Sequence, residues 1–409
     1  MKSYLSVLSA PGAWRFLFPA LLARLPFAMM QLGILLLLQW STGSYGWGGI
    51  AAAGAAVAQA VVGPQTGRLA DRYGQARILI PQAAAHAVLL GGLLVLAQAH
   101  APALLLITMA CLAGASMPQV GSMVRARWAN LLGGRCDGRL DTAFAVESIT
   151  DELTFTAAPI LLIGVATAFS PVWALLVALI LTVVGTLLFA AVRQGAPEPI
   201  PVRTGGSRGQ TVLRLRGVGV LAGAFLTIGT VFGSLQVGIT AFTAGLGQAG
   251  TAGLVYGAFS GASMVGGLGY GALRWKLGAP LRLAVLLGLL AAATVLPALA
   301  GTLGLMYAAA IIAGFVIAPA VITGYTLLAG LVPAEVRTEA YTWLNGSIAL
   351  GIAIGAAVAG QLVDRFTPTT AFLLPPVLTA VAALVVLLRR ACLSSVPIAP
   401  RPARELVTV

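Results

Sequence analysis

Gly67-Arg-Leu-Ala-Asp-Arg-Tyr-Gly74 and Gly271-Ala-Leu-Arg-Trp-Lys-Leu-Gly278 decide how this chain is read. They lie 204 positions apart; each follows a long apolar stretch, carries basic residues and precedes another apolar stretch. A charged, glycine-bracketed turn between apolar spans, repeated half a protein later, points to a duplicated helical membrane protein. Two unrelated tight turns are the plainer alternative.

Composition supports the membrane reading. Hydrophobic residues make up 59% of the 409 positions and charged residues only 9%, with a mean hydropathy of +0.97. A soluble domain carries roughly 25% charged residues, so most of this surface does not face water. At about 20 residues per span the chain has room for roughly twelve helices with short loops. The bilayer core has no water to satisfy a bare backbone, which leaves helices or a closed barrel. Barrel strands alternate apolar and polar residues, whereas these stretches are continuously apolar.

The spans predicted from hydropathy are 13–40, 47–66, 78–97, 102–124, 141–168 and 172–193, then 217–243, 250–270, 283–302, 304–331, 339–361 and 370–389. They define an N-terminal bundle at 1–193, a linker at 194–216, a C-terminal bundle at 217–391 and a tail at 392–409. The linker holds Pro197, Pro199 and Pro201 followed by Gly205, Gly206 and Gly209, which discourage a continuous helix. A second echo of duplication is Ala143-Phe144 against Ala340-Tyr341, an offset of 197 that also aligns Phe169-Ser170-Pro171 with Phe366-Thr367-Pro368.

The net charge of +13 is placed by topology and not by nucleic acid. Nearly every Lys and Arg falls in loops on one side of these spans, and the opposite loops hold only His100, Asp364 and Arg365. By the positive-inside rule the arginine-rich loops and both termini are expected in the cytoplasm, where they meet anionic lipid. The two lysines against twenty-two arginines suit a high-GC bacterial genome, hence an inner-membrane location. Cys111, Cys136 and Cys392 lack metal-ligand spacing, so neither zinc nor a disulfide is indicated, and no cofactor is expected.

The first octapeptide resembles the loop signature of the major facilitator superfamily, roughly G-x-L-a-D-r-x-G-r-r. Gly67, Leu69, Asp71, Arg72 and Gly74 match it, and Arg77 supplies the trailing base. The second copy keeps both glycines, Leu273 and Lys276 but has Trp275 where the acid belongs. The resemblance implies two six-helix bundles related by a pseudo-two-fold axis, a gating role for Asp71 and its neighbours, and a substrate site between the halves near mid-membrane. It also implies that spans two and eleven, and five and eight, face each other across the halves. Small-residue ridges stand on these spans: Gly253, Gly257 and Gly261; Gly351, Gly355 and Ala359; Gly54 and Ala58. They either let the halves rock or pack a static bundle. Other family signatures fade. Twelve residues before Pro118 stands Leu106 instead of arginine, with Arg125 and Arg127 expected at the inner end of span four, within reach of Asp71. Ala158-Pro159 is only a fragment of the span-five antiporter signature.

Four charges must lie inside the apolar zone: Arg24 in span one, and Glu147, Asp151 and Glu152 in span five. Each costs roughly 2.5–3.5 kcal/mol at a helix centre on insertion scales, so such residues face the interior, pair, and mark solute or ion paths. Arg24 and Asp151 lie about ten residues past the inner ends of their spans, about 15 Å deep, which favours their pairing. Glu147 shares a face with Asp151, while Glu152 points about 100° away. Pairing Arg24 with Asp151 leaves over Glu147 or Glu152. A carboxyl without a cation in apolar surroundings is a candidate proton carrier, Glu147 being the expected one; a network that only locks the bundle is the alternative. Gln31, Gln119, Gln236, Tyr256, Tyr325 and Asn345 are weaker cavity candidates, with Tyr307. His86 and Gln82 read as packing residues, and Trp14, Trp40, Trp47 and Trp128 as interface anchors.

The function expected is secondary transport of a small organic solute by a monomer, with proton-coupled export of an amphipathic drug or metabolite ahead of import or uniport. No nucleophile, metal set or dyad supports an enzyme, and no Walker A motif supports ATP coupling. A non-transporting sensor or scaffold would not need the acid that Asp71 retains.

Overall fold

The computed structural model describes residues 2–10, 12–132, 139–199, 212–215, 217–273 and 275–393. Cys136, Gly205 and most of the linker and tail lie outside them. Within the described residues the regular structure is helical: α1 (Lys2–Leu8), α2 (Ala13–Thr42), α3 (Tyr45–Tyr73), α4 (Gln75–Gln98), α5 (Ala103–Ala115), α6 (Val120–Leu132), α7 (Arg139–Ala168) and α8 (Pro171–Ala191), then α9 (Val218–Gly245), α10 (Ala252–Ala272), α11 (Ala279–Val295), α12 (Leu303–Leu331), α13 (Arg337–Arg365) and α14 (Leu374–Leu388).

Among these residues eleven helices are long and apolar enough to cross a membrane, with Ala103–Leu132 counted as one span. The twelfth, α10, has 21 residues, but its seven glycines dilute its hydropathy. It packs against α12 of its own bundle and α7 of the other. The molecule is a multi-pass, all-α membrane protein of two six-helix bundles, α2–α8 and α9–α14, related by a pseudo-two-fold axis.

Local chemistry sets the helix ends. Ser44, Ser170 and Thr302 cap α3, α8 and α12 by accepting the backbone N–H three residues on. Span four departs from the expected continuous helix: it breaks at 116–119, where Pro118 removes a donor. A break at membrane depth leaves carbonyls bare, and side chains satisfy them. Gln82 Nε2 donates to the Met117 carbonyl at 3.0 Å, Gln119 Nε2 to the same oxygen at 3.1 Å, and Ser116 Oγ to Ala113 O at 2.9 Å. His86 Nδ1 lies 3.0 Å from that Ala113 oxygen. Gln82 and His86 are therefore seals of a broken helix.

The first octapeptide is not the turn it was expected to be. Helix α3 runs through it to Tyr73, because Arg68, Leu69, Ala70 and Arg72 all tolerate helix and long basic chains keep their charge in water. The turn is Gly74 alone, at φ +95° and ψ 145°, a conformation closed to side chains. In the second copy the helix stops sooner, since α10 ends at Ala272.

The small-residue ridges also divide differently. Gly351 and Gly355 pack on α9 of their own bundle and not across the halves. A Cβ at Gly229 would meet Ile348 O at 2.2 Å, and one at Gly351 would meet Leu226 O at 2.1 Å. Gly54 faces Cys111, again within one bundle. Gly253, Gly257 and Gly261 meet nothing within 4 Å.

One buried cluster runs from Phe16, Ala70, Trp128 and Phe144 straight into Phe225, Tyr325 and Tyr341, so it joins both bundles near the octapeptides. A second cluster, around Met29, Ile34, Leu93, Leu106 and Leu175, belongs to the N-terminal bundle alone. The halves thus share a core at the end that carries the octapeptides, the signature end, and have separate cores toward the far end.

Candidate functional site

At membrane depth α2, α6 and α7 bring together two arginines and two carboxylates. Arg24 Nη2 pairs with Glu147 Oε2, and Arg24 Nη1 lies 3.5 Å from Asp151 Oδ1. Asp151 Oδ2 pairs with Arg125 Nη2. Both arginines donate to the Gly121 carbonyl at 3.2 Å, and Trp128 Nε1 donates to Glu147 Oε1 at 2.8 Å. Arg24, Glu147 and Arg125 are 4%, 0% and 3% exposed, so water screens this network little.

The network corrects the expected pairing of Arg24 with Asp151 alone. Its cause is α6, which continues to Leu132 and so carries Arg125 inside the bundle instead of leaving it at a helix end. Arg125 therefore serves Asp151, not Asp71. Arg127, also expected near Asp71, donates to Gln75 Oε1 at 2.9 Å and Phe189 O at 3.2 Å, its guanidinium 3.8 Å from the Phe189 ring. Trp128 is fully buried, not an interface anchor, whereas Trp14, Trp40 and Trp47 are exposed.

The carboxylate left without a cation is Glu152 and not Glu147. It lies on a different face of α7 and accepts a 2.6 Å hydrogen bond from Ser263 Oγ of α10, in the other bundle. Among the described residues no ion pair reaches it.

At the signature end Asp71 reaches across the halves. Its two carboxylate oxygens accept the Thr338 and Glu339 backbone N–H groups at 3.1 and 3.0 Å, satisfying bare donors at the start of α13. The octapeptide glycines make matching contacts. A Cβ at Gly67 would lie 2.8 Å from Thr342 Oγ1 and 3.1 Å from Glu339 Cα. One at Gly271 would lie 2.4 Å from Ala145 Cβ and 3.4 Å from Thr142 Cα. Ala145 and Thr142 are the 197-offset equivalents of Thr342 and Glu339, so the closed seam has the symmetry of the duplication. Where the second copy lacks its acid, α7 supplies one. Asp141 accepts from Thr326 Oγ1 at 2.6 Å and lies 3.5 Å from Arg282 Nη2, while Thr142 Oγ1 donates to Gly271 O at 2.7 Å. Arg72, stacked beside Tyr73, and Arg77 are exposed and take no part in the seam.

The cavity candidates separate into two groups. Tyr325 and Asn345 are locked into the seam: they hydrogen-bond each other, Asn345 Nδ2 donates to Ser122 Oγ at 2.8 Å, and the Arg125 guanidinium lies 4.2 Å from the Tyr325 ring. Gln119 is buried in the span-four break. Gln31 and Gln236 are exposed, one turn beyond Phe27 and Phe232. Those rings meet Phe155 at 6.2 Å and Phe259 at 5.6 Å, and Phe259 also meets the half-buried Tyr256 at 5.6 Å. Tyr307 is half-buried against the C-terminal core. Sequence reading missed Ser122, Ser263, Arg282 and Thr326, small polar or loop-end residues whose roles appear only when the bundles meet.

Residues 251–407 match the model of the Major Facilitator Superfamily. Nearly the whole chain superposes on solved transporters. The human organic anion transporter MFSD10 aligns with a TM-score of 0.69 at 17% identity, over 94% of this chain and 100% of that one. A bacterial homologue of the iron transporter ferroportin, in an outward-facing state, gives 0.69 at 16% over 93% and 98%. The Escherichia coli fucose:proton symporter gives 0.66 at 15% over 91% and 99%. Curated protein sequences give no match. The C-terminal part of the chain thus matches the Major Facilitator Superfamily model, and the chain as a whole has the fold of solved transporters.

At these identities the superfamily likeness carries the fold and not the solute. The family model lies on the C-terminal half, whereas the sharper loop signature lies in the N-terminal half, so the two findings are complementary. The fold is that of solved transporters. Its Asp71 cap, paired glycines and shared core show a conformation closed at the signature end.

Proposed function

We propose that the protein exports a small amphipathic organic solute in exchange for protons, by alternating access between bundle 1–193 and bundle 217–391, joined by linker 194–216 and followed by tail 392–409. The observation that carries this reading is Glu152, a membrane-depth carboxylate without a cation, hydrogen-bonded to Ser263 of the opposite bundle. A proton arriving on Glu152 removes its charge and weakens the Ser263 contact, so protonation and the relation between the halves are linked. Charge entering a negative interior through 100 mV contributes about 2.3 kcal/mol. The Arg24–Glu147 and Arg125–Asp151 pairs are internally balanced and serve as the frame. Phe27, Phe155, Phe232 and Tyr256 offer the solute aromatic surface, with Gln31 and Gln236 as polar contacts. We place the protein in a bacterial inner membrane with its signature end and both termini in the cytoplasm.

The test uses the full chain in proteoliposomes with ethidium and a panel of amphipathic anions and cations, under an imposed pH gradient. Glu152→Gln, which mimics the protonated side chain, is expected to abolish gradient-driven movement and to keep solute exchange. Gradient-driven movement undiminished in Glu152→Gln overturns the proton role. Accumulation along the direction of proton flow, instead of against it, identifies an importer.

A further inference from the structure

We propose that α1 is a latch across the signature end, tied to one bundle through Ser6 and to the other through Tyr4, beside the second octapeptide. The idea goes beyond the transport reading and does not depend on which solute or ion is moved.

Helix α1 has seven residues, far below the dozen or more that a free helix needs in water. Docking must therefore hold it. Val7 is fully buried and Ala10 is 8% exposed, while Leu5 on the other face is 63% exposed. The hydrogen bonds go to both halves. Arg139 Nη2, at the start of α7 in the N-terminal bundle, donates to the Ser6 carbonyl at 2.6 Å. Tyr4 Oη donates to the Leu268 carbonyl at 2.6 Å, in the last turn of α10 in the C-terminal bundle. Because α1 is joined to α2, it must travel with the N-terminal bundle. When the halves part at this end, the Ser6 tie persists and the Tyr4 tie breaks.

The place where Tyr4 lands gives the latch its meaning. At the first seam Asp71 holds α13. At the equivalent position of the second seam Trp275 has turned back on its own bundle, stacking on Tyr270 at 4.7 Å and donating to Tyr270 O at 3.1 Å. Tyr4 approaches one turn earlier: its oxygen lies 2.7 Å from where a Cβ on Gly271 would be, so the bare glycine leaves it room. Burial pushes the Tyr4 hydroxyl up to about 12. It remains a protonated donor throughout the physiological range, and the latch is insensitive to pH there.

The experiment measures opening of the signature end by electron–electron spin distances in the reconstituted full chain. Spin labels go on Arg193→Cys and Lys276→Cys, exposed positions of opposite bundles, with Cys111, Cys136 and Cys392 replaced by serine. Tyr4→Phe keeps the ring and removes one hydrogen bond between neutral groups, so the open-to-closed ratio is expected to rise about fivefold. Removal of residues 2–8 is expected to give at least the same shift, and Leu5→Ser, on the exposed face, none. Distance distributions unchanged by both Tyr4→Phe and the deletion overturn the latch, as does an equal shift with Leu5→Ser.

Discussion

Arg24 has two carboxylates within reach, yet they are not equivalent. Glu147 is fully buried and also held by Trp128, whereas the Asp151 side chain is 33% exposed and shared with Arg125. Removing one member of a buried pair leaves a bare charge and costs about 3–5 kcal/mol. Glu147→Gln should therefore lower the thermal stability of purified protein sharply. Arg24→Gln combined with Glu147→Gln should recover most of the loss, since neither lone charge then remains. A melting temperature for the double variant no higher than for the worse single variant would contradict the pairing. Glu152→Gln should melt close to the parent, because it loses no ion pair.

Between helices, carbonyl oxygens set the limits. At Gly233 an added Cβ would fall 2.1 Å from Ile352 O, and at Gly229 2.2 Å from Ile348 O. Alanine at either site must push α9 from α13, and a loss of monodisperse protein on gel filtration is expected. Gly257 faces open space, and alanine in a helix interior is favoured over glycine by roughly 0.5–1 kcal/mol. Gly257→Ala should thus melt at the same or a higher temperature. It should also slow transport, because α10 needs that smooth face when the far end closes. Full transport by Gly257→Ala would assign the ridge no part in the motion. The α3–α13 seam carries its own prediction. Asp71→Asn weakens a charge-assisted cap worth about 1 kcal/mol, so the ratio of open to closed signature ends should rise about fivefold with stability retained. The same spin-label pair reads it, and an unchanged ratio would remove Asp71 from the gate.

At the scale of the whole molecule, closure is asymmetric along the membrane normal. One core joins both bundles at the signature end, and a second stays within the N-terminal bundle toward the far end. Alternating access would exchange these conditions by breaking the Asp71, Asn345, Thr142 and Thr326 contacts. The orientation follows from charge: reporter fusions at Gly205, outside the described residues, and at the C-terminus should both report the cytoplasm. An external signal from either would invert the membrane placement.

Hydropathy, the repeated octapeptide and the 197-residue offset were enough to determine a duplicated helical membrane protein, because each apolar span must satisfy its own backbone in lipid. Intramembrane charges were legible for the same reason: an ion in an apolar span has to find a partner. Which partner it finds was not legible. Pairing depends on how far α6 continues past Pro118 and on the face it presents, and these place Arg125 beside Asp151 and leave Glu152 to Ser263. The use of each glycine was equally hidden, since Gly351 and Gly257 look alike in sequence and differ only in what lies opposite. Contacts between helices 100 or more residues apart are set by the docking of whole bundles, and only the tertiary structure decided them.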